Sequence, residues 1–204
     1  MRLHWSPKSP YVRKVMVCAH ELQLLPRIEL VRSIAAMLKP NLTLMLDNPL
    51  SKIPTLVLDD GSTLFDSSVI CEYLNELAGG ALFPPRGPAR WSALRWQAFG
   101  DGLLDALILW RNERERAPES CSKDLMAAFE LKTRAALAQL EREDCALQVA
   151  PFGIGHIAVY CALGYLDFRF DAFQWRDAYP GLTAWHATLR ARPAFAATEP
   201  SLEG

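Results

Sequence analysis

Two short segments of the chain carry residues that together could hold a small charged peptide. The Ile53-Pro54 pair opens an apolar stretch, and Asp66-Ser67 stands at the predicted start of a helix. If the Ile53-Pro54 bond is cis, Ile53 can present its backbone N–H and C=O to a ligand. Asp66-Ser67 adds a carboxylate, a hydroxyl and the free N–H groups of a helix start, which favour anions. This pattern predicts a site that pairs with a peptide backbone and holds its terminal carboxylate.

Ser9 is placed to activate a nucleophile, because it follows the first predicted strand and directly precedes a helix. The N–H groups and the dipole at a helix start stabilise an anion, and such a position lowers the pKa of a thiol. The Ser9 hydroxyl could then donate a hydrogen bond to a thiolate. The sequence also allows a structural role, since Ser9-Pro10 is a favourable N-cap followed by proline at the first helical position. Ser6, which also precedes a proline, is an alternative activator.

Residues 1–79 alternate strand and helix patterns in the order βαβαββα, which is that of a thioredoxin-like α/β domain. Asp60-Gly61 between two apolar runs is a strong β-hairpin signal. Pro40 is predicted to end a short helix at residues 34–38. The remaining predicted elements are strands at 3–5 and 27–31, strands on either side of the hairpin turn, and helices at 11–25 and 67–78.

A linker rich in glycine and proline at 80–88 precedes a part of the chain that is helical in pattern throughout. We therefore expect a first domain at 1–79 and an all-α domain at 89–204. Pro193 and Pro200 are predicted to break up the C-terminal tail. The predicted helices of the second domain are 91–116, 122–147, 155–168 and 181–190.

The strings around these residues resemble the glutathione S-transferase family. Asn48-Pro49-x-x-Lys52-Ile53-Pro54 followed by Asp66-Ser67 is similar to the family's glutathione-binding segment. Residues 9–14, Ser-Pro-Tyr-Val-Arg-Lys, resemble the first helix of its bacterial serine-type members. The resemblance covers nearly the whole chain. It implies a thioredoxin-like N-terminal domain, an all-helical C-terminal domain, glutathione as co-substrate and assembly as a homodimer.

The resemblance also implies a role for each residue of the first domain singled out above. Ser9 would activate the glutathione thiol, the Ile53 backbone would pair with the cysteinyl part, and Lys52 would lie near the glycine end. Asp66 and Ser67 would hold the γ-glutamyl end. Taken alone, Lys52 is more typical of a solvated loop lysine, and Asp66 is also typical of a helix N-cap.

A second pocket would hold the electrophile that the thiolate attacks. Its candidate residues are Tyr11, Trp110 and Arg111, although aromatic residues at helical spacing more often belong to a core. The resemblance thus implies a transferase that adds glutathione to an electrophile. A glutathione-dependent isomerase or dehalogenase, and a non-catalytic ligand-binding protein of the same fold, are the alternatives.

Composition and charge exclude several other classes of function. The 204 residues carry 22 basic and 23 acidic side chains, so a net charge of -1 gives no electrostatic basis for binding nucleic acid or an anionic membrane. The five cysteines are odd in number and lack CxxC spacing, and no secretion signal opens the chain, so we expect a cytoplasmic protein. The histidines lack ligand spacing and no glycine-rich phosphate loop occurs. Neither a metal nor a nucleotide cofactor is therefore expected.

One helix start departs from the family's pattern. The family usually begins the apolar helix with a capping box of Ser or Thr, two residues and Asp, where this chain has Gly153 and His156. Because glycine lacks a side-chain oxygen and histidine is not a carboxylate, we expect an orphan backbone N–H here. Replacing both, Gly153→Thr with His156→Asp, is therefore predicted to stabilise the protein by about 1 kcal/mol.

Overall fold

A computed structural model describes residues 1–202 of the chain. This part divides into two compact units, Met1–Arg90 together with the segment from Pro193 onward, and Trp91–Arg192. The order of the elements confirms the predicted fold class, a thioredoxin-like α/β domain followed by an all-helical part.

The first unit contains a sheet of four short strands, β1 (Arg2–Trp5), β2 (Glu29–Arg32), β3 (Thr55–Val57) and β4 (Thr63–Leu64). Their order is β2-β1-β3-β4, with β1 and β2 parallel and β3 antiparallel to both of its neighbours. The β3–β4 connection is the hairpin predicted at Asp60-Gly61. Gly61 has a φ of 85°, a left-handed conformation that glycine adopts without steric cost.

Three helices accompany this sheet, α1 (Pro10–Glu21), α2 (Leu42–Met45) and α3 (Ser67–Leu77). The helices α1 and α3 pack against each other. Leu3 of β1, Val15 of α1 and Ile70 of α3 are completely buried, so the apolar face of each element supplies the core.

The predicted helix at 34–38 is wrong. The chain there forms a loop with an isolated bridge between Ala36 and Lys39, and the short helix α2 follows Pro40 instead of preceding it. Asn41 begins that helix, because its side-chain oxygen accepts a hydrogen bond from the Leu44 N–H at 3.1 Å. The local helical pattern therefore had no packing partner to stabilise it.

The second unit is formed by helices, α4 (Pro88–Arg114, whose first residues belong to the first unit), α5 (Lys123–Arg142), α6 (Asp144–Val149), α7 (Ile154–Arg169) and α8 (Pro180–Arg190). Every residue of α7 from Ile154 to Leu166 is buried, as its apolar sequence predicts. Gly100 of α4 allows a close approach to α7, since a Cβ there would lie 2.5 Å from the backbone carbon of Ala158.

The predicted single helix at 122–147 is interrupted at Glu143, which separates α5 from α6. Burial alone would raise the pKa of the Glu143 carboxyl, but hydrogen bonds from Arg95, Trp96 and Gln139 outweigh it and lower that pKa to about 2. The indole N–H of Trp96 lies 2.6 Å from Oε2. The interruption thus coincides with a charged residue that binds three side chains.

The start of α7 contains one half of a capping box, which the sequence interpretation did not expect, while the orphan N–H inside the first turn stays a prediction. The Gly153 N–H donates to Nδ1 of His156 at 3.3 Å, and Nε2 of the same ring lies 2.9 Å from the Leu147 carbonyl oxygen. Burial lowers the pKa of His156, and the charge of Arg192 lowers it further, which favours a neutral ring that accepts at Nδ1 and donates at Nε2. An imidazole nitrogen therefore replaces the carboxylate of the usual capping box.

The C-terminal segment returns to the first unit. Pro193 does not merely break the tail but begins a further short helix, α9 (Pro193–Ala196), which packs against α1. The guanidinium of the buried Arg13 donates to the Phe195 carbonyl oxygen at 3.3 Å and lies 3.5 Å from the Glu199 carboxylate. Residues beyond α8 therefore form part of the surroundings of α1.

Candidate functional site

The register of the sheet brings three candidate segments to one edge. In the β1–β3 pair Leu3 lies opposite Leu56 and His4 opposite Thr55, so the end of β1 lies beside the start of β3. In the β3–β4 pair Leu56 lies opposite Leu64, so the end of β4, two residues before Asp66, lies beside the start of β3. Because antiparallel partners lie side by side, the loop after β1, the turn before β3 and the start of α3 share this edge.

The turn before β3 is held by a buried amide. The Ile53-Pro54 bond is cis, as the first interpretation of the segment required. The side-chain amide of Asn48 donates to the Lys52 carbonyl oxygen at 3.2 Å and to the Thr55 hydroxyl at 2.9 Å. The Thr55 hydroxyl in turn donates to the same carbonyl oxygen at 2.9 Å. These three hydrogen bonds therefore fix the backbone of the turn. Lys52 is exposed and Ile53 is half-buried.

The start of α3 carries the acidic member of the site. Asp66 is the N-cap, and its Oδ1 accepts a hydrogen bond from the Ser68 N–H at 2.9 Å. Asp66 is exposed, whereas Ser67 is only 2% exposed. A carboxylate has lone pairs on two oxygens, so capping through Oδ1 leaves Oδ2 for a cationic group. The two readings of Asp66, as a cap and as a ligand-binding residue, are therefore compatible.

Ser9 is the N-cap of α1, and its Oγ accepts a hydrogen bond from the Val12 N–H at 3.3 Å. That contact uses a lone pair and leaves the hydroxyl proton for another acceptor. Ser6, the alternative activator, accepts a weaker contact from the Lys8 N–H at 3.4 Å. Both serines line the same cavity, so geometry alone does not choose between them.

This cavity also has walls that the sequence interpretation missed. Apolar side chains from β1 and α1 form one part, including Trp5 and Met16, and the C-terminal segment supplies Thr198 and Glu199. The sequence interpretation predicted that Pro193 and Pro200 break up the tail, but nothing in it indicated that residues 197–199 line the same cavity as Ser9. The contact from Arg13 to Phe195 and Glu199 that holds this wall joins residues far apart in sequence.

The three residues proposed for an electrophile pocket have different surroundings. Tyr11 is half-buried on α1 in the first unit. Trp110 belongs to the second unit and is 6% exposed, with its ring centroid 4.7 Å from that of Phe170. Arg111 lies next to it in the chain and pairs with Glu115 at 3.4 Å. The role of these three residues in binding an electrophile stays a prediction.

Within residues 1–202, no group of three or more His, Cys, Asp or Glu side chains is arranged to hold a metal ion. Over the same residues, no helix combines the length and apolar character needed to cross a bilayer. Cys18, Cys71 and Cys161 are completely buried, as expected for cysteines that act as small apolar residues.

Models of known protein families match both parts of the chain. The model of the family described as "Glutathione S-transferase, N-terminal domain" matches residues 8–77. The model described as "Glutathione S-transferase, C-terminal domain" matches residues 124–188. Together with the fold and the edge formed by the three segments, these matches define the class. The chain belongs to the glutathione S-transferase family.

Individual relatives agree with this assignment. The chain is 31% identical over 203 residues to "Uncharacterized GST-like protein YibF" of Escherichia coli K12, covering 98% of each chain. A solved glutathione transferase family member from Pseudomonas fluorescens Pf-5, with bound glutathione, is 44% identical with a TM-score of 0.95, covering 98% of this chain and 99% of that one. A glutathione S-transferase from Methylobacillus flagellatus KT, also with glutathione bound, is 32% identical with a TM-score of 0.87, covering 98% and 99%.

Proposed function

We propose that this protein is a glutathione transferase, in which the first unit binds glutathione and the bound thiolate attacks a small electrophile. The observation that carries the proposal is the register of the sheet, which brings the ends of β1 and β4 and the start of β3 to one edge, next to the segments of Ser9, Ile53-Pro54 and Asp66. The glutathione bound to relatives at 44% and 32% identity supports the choice of ligand.

The edge offers a contact for each part of glutathione. The Ile53 backbone would pair with the cysteinyl unit, since a peptide adds to an extended segment through its main chain. Lys52, which is exposed, would attract the glycine carboxylate. Asp66 would bind the ammonium group of the γ-glutamyl end, and Ser67 with the first N–H groups of α3 would bind its carboxylate.

Ser9 would stabilise the thiolate by donating its hydroxyl proton to the sulfur, while its oxygen keeps the contact with the Val12 N–H. The dipole of α1 favours the same negative charge. The thiolate then forms a C–S bond with the electrophile, the leaving group departs with its electron pair, and the thiol proton passes to solvent. Since the attacking atom belongs to glutathione, Ser9 activates and does not attack.

A binding and turnover measurement tests this proposal. Titration calorimetry with glutathione should give saturable binding, and a chlorodinitrobenzene-type electrophile should be conjugated faster than in the protein-free reaction. Asp66→Ser keeps an N-cap oxygen but removes the carboxylate, so it should weaken binding by roughly 1.5–3 kcal/mol with little loss of melting temperature.

Glu76→Ala is the matched control, because it removes one exposed carboxylate from the other end of α3. It should leave glutathione affinity unchanged. Binding without turnover on a broad panel of electrophiles would contradict the transferase and favour a protein that sequesters ligands. Equal affinity in Asp66→Ser and the parent would remove Asp66 from the site.

A further inference from the structure

A buried chain of hydrogen bonds links β1 to the loop beyond β2. His4 of β1 is 4% exposed, and its ring lies between two partners. Nδ1 is 2.7 Å from the Ser33 hydroxyl and Nε2 is 2.8 Å from Oδ2 of Asp47. Because a carboxylate only accepts, the proton on this side belongs to Nε2, and the ring joins Ser33 to Asp47.

This trio has the composition of a hydrolytic triad but not its accessibility. Ser33 is 5% exposed and its hydroxyl also lies 3.3 Å from the Val31 carbonyl oxygen. A nucleophile must reach a reacting carbon, and a serine enclosed in this way cannot present its oxygen to one. We therefore interpret the contacts of His4 as structural: they hold the segment between β2 and β3, which contains Asp47, against β1.

The segment that Asp47 belongs to, between β2 and β3, has few buried apolar side chains of its own. Between Ile34 and Leu50, all of which the structure describes, Leu44 and Asn48 are the buried residues. The bond from His4 to Asp47 is one of the contacts that tie the end of this segment to the sheet, beside the bond from Asn48 to Thr55 of β3. Asp47 immediately precedes Asn48. The bond from His4 therefore holds the neighbour of the residue that fixes the turn before β3, which is the proposed glutathione-binding turn.

From Asn48 the chain of contacts continues into the turn. Its amide donates to the Lys52 carbonyl and to the Thr55 hydroxyl, and its Oδ1 accepts from the Leu50 N–H at 3.0 Å. Thr55 itself lies opposite His4 in the β1–β3 register. The series of contacts that begins at His4 and passes through Asp47 and Asn48 thus ends at Thr55, which is the neighbour of His4 in the sheet.

We propose that His4 is a positioning residue for the glutathione-binding turn, acting through Asp47 and Asn48 on the backbone at Lys52 and Ile53. The identity of the ligand, glutathione, rests on the proposed function. The positioning of the turn by His4 does not, because it is a property of the protein without ligand. Losing the bond to Asp47 lets the turn sample other positions, and apparent affinity falls in proportion to the fraction that stays competent.

Two replacements of His4 separate positioning from simple loss of a side chain. In His4→Gln the amide nitrogen reaches the place of Nε2 and can still donate to Asp47. In His4→Asn the shorter amide reaches only the place of Nδ1 and leaves Asp47 without its partner. We expect the Kd for glutathione to rise about fivefold in His4→Asn and to stay within about twofold of the parent in His4→Gln.

Amide hydrogen exchange of the free protein gives a readout that needs no ligand. The N–H groups of Leu50 and Ser51, which donate to the side chain and the backbone of Asn48, should exchange faster in His4→Asn and at the parental rate in His4→Gln. Val17→Ala, which opens a cavity in α1 within the same unit, is the control for general destabilisation. It should leave the exchange of these two amides relative to β1 unchanged.

The outcomes distinguish this inference from the function on which it rests. If the parent does not bind glutathione, the proposed function falls, while the exchange of Leu50 and Ser51 still decides whether His4 positions the turn. If the parent binds glutathione and His4→Asn exchanges and binds as the parent does, the positioning role is overturned. Equal losses in His4→Gln and His4→Asn would likewise overturn it, since the bond to Asp47 would then be irrelevant.

Discussion

At the scale of single residues, the Ser9 hydroxyl serves two purposes with different parts of one group. Its oxygen caps α1 by accepting from the Val12 N–H, and its proton remains for a thiolate. A substitution to alanine removes both functions, so a loss of activity in that variant alone cannot separate them. Aspartate, in contrast, keeps an oxygen for the cap and has no proton to donate at neutral pH.

Ser9→Asp and Ser9→Ala are therefore expected to differ in stability but not in thiolate formation. Ser9→Ala should lose about 1 kcal/mol of stability with the cap, and Ser9→Asp should keep it. In both variants the pKa of bound glutathione should rise, measured as loss of thiolate absorbance near neutral pH. An unchanged titration in both, with a shift in Ser6→Ala, would transfer the activating role to Ser6.

The sequence was sufficient for residues whose signal is local. The N-caps at Ser9 and Asp66 each depend on neighbours within a few positions. Glu199 could not be predicted in this way, because its contact with Arg13 depends on how the end of the chain folds back. The assigned roles in binding glutathione stay predictions for all of them.

At the scale of elements, the start of α7 shows how a side chain of unexpected type can supply one half of a capping box. His156 accepts from Gly153 and contacts Leu147, and its ring packs near Trp96, with centroids 5.8 Å apart. Its replacement by aspartate would remove the contact with Leu147 and leave a void among aromatic rings. The double replacement Gly153→Thr with His156→Asp is therefore now expected to destabilise the protein.

The buried, neutral His156 should also make stability depend on pH. Its folded pKa lies below the ordinary value of 6.5, so below that pH the unfolded chain binds a proton that the folded chain does not. Its contribution to stability is thus complete above about pH 6.5 and is lost as the pH falls further. Thermal unfolding from about pH 8 to about pH 5 should show a decline that His156→Gln reduces.

His20→Gln serves as the control in these unfolding scans, because His20 lies half-buried in the last turn of α1 and makes no part of this cap. It should retain the parental decline. A decline of equal size in His156→Gln would show that another group causes the pH dependence.

The elements themselves were predictable where an apolar face met a partner. The periodicity located α1, α3, α7 and α8 to within a few residues. It failed at 34–38, where the apolar residues stay exposed, and at Glu143, which binds Arg95 and Trp96 at the point where the helical pattern is interrupted. The first failure reflects the lack of a packing partner and the second coincides with contacts distant in sequence, so in both places tertiary context overrides local propensity.

At the scale of the whole molecule, a stretch of exposed apolar side chains supports the proposed homodimer. Six apolar residues between β2 and β3 are 61% to 95% exposed, and exposed apolar side chains that lie close together usually mark an interaction surface. We name them the apolar strip; they are Ile34, Met37, Leu38, Leu42, Leu46 and Leu50. The resemblance to the family implies that the first domain of one subunit packs against the helical domain of the other.

Sedimentation at micromolar concentration should therefore give a species of twice the 22.8 kDa chain mass. Leu38→Asp with Leu46→Asp should shift it toward the monomer, because a charge placed in an apolar interface loses its hydration. Leu202→Asp, at an apolar residue exposed to a similar degree outside the strip, should leave the mass unchanged. A stable monomer in the parent would refute the homodimer, and a dimer in the double variant would exclude the strip from the interface.

The return of the C-terminal segment to the first unit has a consequence for synthesis. A chain emerges from the ribosome from its N-terminus, and domains generally fold in that order. Here the wall that Thr198 and Glu199 add beside Ser9 arrives only after all of Trp91–Arg192 has been made. The first unit, although translated first, must wait for the helices to be completed before its cavity is whole. A prematurely terminated chain would thus contain Ser9, Ile53 and Asp66 and still lack finished surroundings for the reacting atom.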